Sequence, residues 1–75
     1  MDIRRLVGEN VRRLRAKKGW SQEHLAFESG LHRTYISGVE RGARNPTVIV
    51  LKELADALGA LPGDLLRPIV PGRRP

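Results

Sequence analysis

Hydrophobic residues recur along this chain at the three- and four-residue spacing of amphipathic helices. Asp2 can cap the first helix and Gly19 ends it, and its apolar stripe is formed by Ile3, Leu6, Val7, Val11 and Leu14. Thr47 can cap the fourth helix and Gly59 ends it, with a stripe formed by Val48, Leu51, Leu54, Ala55 and Leu58. Pro62 starts a short fifth helix, because proline is tolerated in a first turn. The pattern predicts an all-α, compact five-helix bundle.

The length of 75 residues allows one domain, predicted to cover residues 1–68 and to be followed by a C-terminal tail at 69–75. There is no cysteine, which excludes a disulfide framework and a cysteine-based zinc site. No apolar run is long enough to cross a bilayer, and the charged N-terminal segment MDIRR is unlike a signal peptide. We therefore expect a cytoplasmic, nucleoid-associated protein with no membrane partner.

The charge balance points to a polyanionic partner. Fourteen lysine and arginine residues face eight acidic ones, for a net charge of +6 and a pI near 11.1. This balance favours nucleic acid, although anionic membranes attract the same charge and a basic surface can also have no partner. A membrane-surface role for the basic first helix is disfavoured, because the core needs its apolar face.

The segment from Ser21 to Gly42 carries the most specific pattern. Ser21 is predicted to cap a helix over Gln22–Ser29, Gly30 makes a sharp turn, and a second helix opens at His32 or Arg33. Ala26 is small where two helices cross closely, and the second helix is anchored by Leu31, Ile36 and Val39. Two short helices joined by a tight glycine-containing turn form a helix-turn-helix, whose second helix fits the major groove of DNA.

Three longer motifs extend this pattern: VRRLRAKKGWSQEHLA at 11–26, SGLHRTYISGVERGARNP at 29–46 and LADALG at 54–59. Together they resemble the lambda-repressor-like (Cro/repressor, XRE) family over roughly residues 3–66. The resemblance implies a compact bundle of five helices, in which the second and third read DNA. The runs LHRTYIS and VERGARN are also similar to controller proteins of restriction–modification systems, which implies a stand-alone domain that dimerises and regulates promoters.

The resemblance carries site roles residue by residue. It assigns phosphate contacts to Gln22, Arg44 and Asn45, and base contacts at the exposed front of the recognition helix to Arg33, Thr34 and Tyr35. Ser37 lies further along the same helix as a further contact. Gly38 departs from the longer polar residues common at its position and has no side chain with which to contact a base. Arg15 and Glu40 match a structural ion pair between the first and third helices, whereas Phe27 stands where the family often has a polar residue.

Other chemistry finds little support in the sequence. His24 and His32 are the only histidines, and no carboxylate spacing completes a metal site. No nucleophile–base arrangement, phosphate-binding glycine loop or carboxylate pair is present. Trp20 is expected to pack in the core between the first two helices. We expect no enzymatic activity, no catalytic residue, no metal and no cofactor.

The C-terminal third has more apolar residues than a small core can absorb. We expect a homodimer interface formed by Ile49, Val50, Leu61, Leu65 and Leu66, with Ile69 and Val70 as further candidates. The alternative is that Leu65 and Leu66 only close the monomer core.

The function predicted from these features is sequence-specific regulation of transcription by a homodimer bound to a pseudo-palindromic site on double-stranded DNA. RNA polymerase is a further candidate partner. The alternative is a protein-interaction or antitoxin-like module that retains the fold. The basic charge and the polar front of the recognition helix favour the first function.

Overall fold

The computed structural model describes residues 2–69, which form four α-helices and one 3-10 helix. The α-helices are α1 (Ile3–Lys17), α2 (Gln22–Ser29), α3 (Arg33–Glu40) and α4 (Val48–Leu58), and the 3-10 helix covers Pro62–Leu66. No β-strand occurs in this part of the chain. The prediction of an all-α fold is confirmed.

The predicted short fifth helix is present from Pro62, but it is a five-residue 3-10 helix, so the described residues contain four α-helices rather than five. Its bonds join residues three apart, as from the Asp64 N–H to the Leu61 carbonyl oxygen at 2.9 Å. Arg67 leaves the helical region at φ −75° and ψ 129° because it precedes Pro68, and residues before proline avoid helical ψ. The element therefore ends before a second helical turn can form.

The predicted helix caps are confirmed. The side chains of Asp2, Ser21 and Thr47 each accept a hydrogen bond from the backbone two or three residues later, at 3.0–3.1 Å. Gly30 ends α2 at φ +74° and Gly59 ends α4 at φ +69°, a backbone conformation that a side chain disfavours. The boundaries of the helices therefore follow from local chemistry.

The core lies between α1, α3, α4 and the 3-10 helix, and α2 packs on it through α3 and α4. Its buried side chains are Val7, Val11, Leu25, Ala26, Ile36, Val39, Leu54, Ala55, Leu58 and Leu65. Two residues predicted to lie in apolar stripes are exposed instead, Ile3 at 53% and Val48 at 80%. Ile3 lines an open groove with Val7 and Leu51 at the end of the bundle. Val48 lies on the same side of α4 as the buried Ala55, seven residues later, but it is the first residue of the helix.

Gly8 sets how closely α1 approaches α3. A Cβ atom added there would lie 2.7 Å from the Glu40 carbonyl oxygen and closer still to that of Val39. Both neighbours are backbone atoms, which cannot rotate away. The absence of a side chain at Gly8 therefore allows the end of α3 to pack directly on α1.

Asn10 is fully buried in α1 and bonds the backbone at the end of the 3-10 helix. Its Nδ2 donates to the carbonyl oxygens of Leu65 and Arg67, both at 2.9 Å, and its Oδ1 accepts from Arg13 at 3.2 Å. The 3-10 helix is thereby fixed to α1 by polar contacts as well as by Leu65. The sequence reasoning did not single out Gly8 or Asn10.

Within residues 2–69 no helix is long and apolar enough to cross a membrane. The predicted tail begins at Ile69, which is exposed, and continues over 70–75, outside the described residues. Val70, a candidate for the dimer interface, lies there too. The domain boundary at residue 68 stays a prediction.

Candidate nucleic-acid interface

Helices α2 and α3 are joined by a three-residue turn, Gly30 to His32, as the sequence predicted. The Leu31 N–H donates to the Ala26 carbonyl oxygen at 3.1 Å, which closes the end of α2. Ile36 and Val39 are buried, so the opposite side of α3 faces outward. Arg33 and Thr34 occupy its first turn and are exposed. Two of the three residues predicted at the exposed front of a recognition helix are therefore exposed, whereas the third, Tyr35, is half-buried.

The predicted ion pair between Arg15 and Glu40 is present and bidentate. Arg15 Nε lies 2.6 Å from Glu40 Oε2, and Arg15 Nη2 donates to Oε1 at 2.9 Å. The hydrogen bonds to Glu40 raise the pKa of Arg15 above its ordinary value. A third donor of Arg15, Nη1, bonds the Trp20 carbonyl oxygen at 2.7 Å. One guanidinium therefore joins α1, the segment before α2 and the end of α3.

Gln22 belongs to the same network. Its Nε2 donates to Glu40 Oε1 at 3.1 Å, and the side chain is half-buried at the first position of α2. The hydrogen bond to the Glu40 carboxylate holds the Gln22 side-chain amide next to Ser21, which caps α2. The predicted contact of Gln22 with phosphate stays a prediction.

The side chain of Arg44, which belongs to the loop after α3, lies across the recognition helix. Its guanidinium carbon lies 5.4 Å from the centre of the Tyr35 ring, within the range of a cation–π contact. Its aliphatic part runs over Gly38, which is buried. Gly38 thus leaves space that a longer residue would occupy, which gives a structural reason for the departure noted in the sequence.

Ser37 and Asn45, the remaining predicted DNA contacts, take no part in the hydrogen bonds around Glu40 or in the contact between Arg44 and Tyr35. Ser37 is half-buried on α3, and Asn45 is exposed. Asn45 lines the groove at the end of the bundle beside Ile3 and Pro46. Neither has a hydrogen bond from its side chain to another side chain within residues 2–69.

The predicted dimer residues divide into three groups. Ile49 and Leu61 are largely exposed, at 72% and 69%, and Leu66 is exposed at 43%. Val50 is half-buried in an apolar groove with Leu31 and Tyr35. Leu65 is fully buried in the core, and its backbone carbonyl oxygen accepts a hydrogen bond from Asn10. Its assignment to an interface is therefore wrong.

Besides Ile3, two large exposed apolar side chains were not predicted as contact residues. Val48 is 80% exposed beside Ile49, and Phe27 is 83% exposed on α2. The signal for Phe27 was in the sequence, as an aromatic residue at a position that is often polar. Val48 was assigned to the core from its periodicity alone.

Trp20 packs partly against the core, as expected, and its outer face carries polar groups. The His24 ring stacks on it with centroids 4.3 Å apart, and Lys18 Nζ lies 4.9 Å from its centre. His24 also pairs with Glu28 at 3.3 Å. In the described part of the chain no cluster of histidine, aspartate and glutamate side chains could hold a metal ion.

Comparisons with known proteins agree with this geometry. The profile of the family HTH_3, described as helix-turn-helix, matches residues 11–66. The chain is 53% identical over 68 residues to the HTH-type transcriptional regulator y4dJ of Sinorhizobium fredii, covering 91% of this chain and 88% of that one. It is 52% identical over 66 residues to the control protein C.BamHI of Bacillus amyloliquefaciens, covering 87% and 82%.

A solved structure shows the same fold. The restriction–modification controller protein C.AhdI from Aeromonas hydrophila superposes with a TM-score of 0.80 at 48% sequence identity, over 83% of this chain and 94% of that one. The resemblance inferred from the sequence motifs is confirmed. This chain belongs to the helix-turn-helix family of transcriptional regulators that includes restriction–modification controller proteins.

Proposed function

We propose that this protein regulates transcription by binding a specific sequence in duplex DNA, with α3 in the major groove. The observation that carries the proposal is the exposed first turn of α3, where Arg33 and Thr34 face outward while Ile36 and Val39 hold the other side in the core. An α-helix with its side chains is about 10–12 Å wide, and the major groove is about 12 Å wide. Arg33 has no carboxylate partner within residues 2–69, so its guanidinium is available to read guanine.

Phosphate contacts on both sides of the recognition helix would fix its register. Gln22 lies in the first turn of α2, where backbone N–H groups and the helix dipole favour an anion. Arg44 and Asn45 are exposed in the loop after α3. The net charge of +6 adds a general attraction to the DNA backbone.

A second copy of the chain would complete the operator-binding unit. The exposed side chains of Val48, Ile49, Leu61 and Leu66 and the groove at Val50 form the proposed dimer surface. One recognition helix covers only a few base pairs, whereas a two-fold dimer would place two helices about 34 Å apart, one turn of DNA. The bound site would then be pseudo-palindromic.

The names of two relatives support a more specific biological role. C.BamHI is a control protein and C.AhdI is a restriction–modification controller protein, and each is matched over more than four fifths of its length. We infer that this chain is a controller of that kind, acting on promoters at the nucleoid in the cytoplasm. Contact with RNA polymerase stays a prediction.

Selection of bound sequences from a random DNA pool tests sequence-specific binding. The selected site and a scrambled version are then titrated at several salt concentrations, and affinity for both should fall steeply as salt rises. Arg33→Ala should cost about 1–3 kcal/mol on the selected site and relax preference at one base pair. Arg12→Ala, which removes the same charge from an exposed position on α1, is the matched control and should leave base preference unchanged.

Equal affinity for the selected and scrambled sites at every salt concentration would contradict the proposed function. A uniform loss of affinity in Arg33→Ala, with base preference intact, would contradict only the role of that arginine.

Sedimentation at micromolar concentration tests the dimer. Ile49→Asp places a charge on the proposed interface and should shift the protein to monomer. Phe27→Asp makes the same kind of change at an exposed apolar residue on α2 and should leave the dimer intact. A wild-type protein that stays monomeric at all concentrations, or a footprint of a single half-site, would rule out the dimer.

A further inference from the structure

Gly38 is a glycine inside the recognition helix at a place where the backbone does not require one. The residues with positive φ in the described chain are Gly19, Gly30, Gly42 and Gly59, so Gly38 has a conformation that any residue can adopt. Glycine in a helix interior is disfavoured relative to alanine. Its presence therefore calls for a spatial reason.

The space beside Gly38 is filled by Arg44. A Cβ atom at position 38 would lie 2.8 Å from Arg44 Cγ and 3.1 Å from Nε. The loop that carries Arg44 is held in place, because the Ala43 N–H donates to the Gly38 carbonyl oxygen at 2.9 Å. The arginine side chain is thus laid along α3 from a loop tied to the same residue.

The Tyr35 ring borders the outer end of the Arg44 side chain. The Arg44 guanidinium carbon lies 5.4 Å from the Tyr35 ring centre, and the ring itself is half-buried against the core. Arg44 has no carboxylate partner within residues 2–69, so its charge is not neutralised inside the protein. Gly38 and Tyr35 hold an arginine that remains available to an anion.

We propose that Gly38 is a positioning residue for DNA binding: the side chain it lacks lets Arg44 lie over the recognition helix against Tyr35, with its guanidinium held ready for a DNA phosphate. An arginine on a free loop loses rotamer freedom when it binds, and prior ordering reduces that cost. This inference rests on the proposed function, specifically on contact between Arg44 and phosphate.

A double-mutant cycle on the selected DNA site tests the proposal in the full chain. Gly38→Ala should weaken binding by roughly 5- to 20-fold, within the range of coupling between neighbouring side chains. In a background that already contains Arg44→Ala, the same substitution should have almost no effect. Gly63→Ala is the matched control, because a Cβ atom there meets no atom within 4 Å.

A measurement without DNA follows the displacement of Arg44 directly. Tyr35 is the only tyrosine in the chain, so its ring signals in an NMR spectrum can be assigned without ambiguity. Gly38→Ala and Arg44→Ala should shift these ring signals in the same direction, and Gly63→Ala should not. The melting temperature of Gly38→Ala should equal or exceed that of the wild type, because alanine favours a helix.

Equal losses of affinity from Gly38→Ala with and without Arg44 would overturn the proposal, as would unchanged affinity or unchanged Tyr35 signals in Gly38→Ala. If Arg44→Ala alone leaves affinity and its salt dependence unchanged, Arg44 does not contact phosphate, and Gly38 then has no positioning role. Loss of discrimination between selected and scrambled sites by the wild type is a separate result, which contradicts the proposed function itself.

Discussion

Substitution of Gly8 by alanine probes the close packing of the recognition helix, α3, against α1. To move the Glu40 carbonyl oxygen from 2.7 Å to an ordinary contact of 3.4 Å from the new Cβ atom, α1 and α3 must separate by at least about 0.7 Å, and the Val39 carbonyl oxygen, which lies closer, requires more. Both helices contribute buried residues to one core, so the shift also disturbs the packing of Val11 and Val39. The variant should therefore be less stable, although alanine favours the helix.

The two opposing effects can be compared in size. Overpacking of a close-packed interior costs about 1–3 kcal/mol, and the upper part of that range applies because the neighbours are backbone atoms. Alanine in place of glycine inside a helix recovers about 1 kcal/mol. The expected net loss is about 1–2 kcal/mol of unfolding free energy, which corresponds to a decrease of roughly 5–15 °C in Tm for a domain of this size.

Urea unfolding followed by the fluorescence of Trp20, the only tryptophan, measures this loss. Protein concentration must be equal for all variants, because dimerisation contributes to apparent stability. Gly63→Ala is the control, since nothing lies within 4 Å of its added Cβ atom. A Gly8→Ala protein as stable as Gly63→Ala, with an unchanged slope against urea, would refute the argument that the α1–α3 approach requires glycine.

Three further outcomes follow from polar contacts. Asn10→Ala leaves the buried Leu65 carbonyl oxygen without its donor and should cost about 2 kcal/mol of unfolding free energy. A loss below about 0.5 kcal/mol in urea unfolding would contradict a stabilising role for the hydrogen bonds of Asn10. Glu40→Gln leaves the Arg15 guanidinium largely buried without its carboxylate and should cost about 1–3 kcal/mol, against no measurable loss for Glu53→Gln at an exposed position on α4. The Asp2 carboxyl accepts hydrogen bonds from the Arg4 side chain and backbone, which hold its pKa below 3.8. Because the folded-state pKa is lowered, this contribution to stability is present above pH 3.8 and is lost as the pH falls through the lowered value. An NMR titration should show the midpoint rising in Arg4→Ala, and an unchanged midpoint would remove the ion pair as its cause.

Much of the fold could be read from the sequence because its determinants are local. The caps at Asp2, Ser21 and Thr47 act on backbone groups two or three residues away, and Gly30 and Gly59 act through their own φ angles. The helix-turn-helix follows from these signals together with the buried positions of α2 and α3. The Arg15–Glu40 pair came from family resemblance, since nothing local joins residues 25 positions apart.

The errors occurred where the spacing and the number of apolar residues were applied beyond what they can decide. Val48 fits the spacing of a core residue but is the first residue of α4, and Leu65 was placed on a surface although it fills the core. The spacing of apolar residues shows which face of a helix is hydrophobic. Whether another element or solvent covers that face at each end depends on the rest of the fold.

The sequence by itself therefore determined the helices, their ends, the DNA-reading motif and the basic charge, since each depends on residues within one or two helical turns or on composition alone. Only the tertiary structure decided that Gly8 meets the end of α3, that Asn10 holds the carbonyl oxygens of Leu65 and Arg67, and that Arg44 lies over Gly38. These contacts depend on where separate segments of the chain meet. That meeting is fixed by the simultaneous packing of all the helices into one core, which no local pattern encodes.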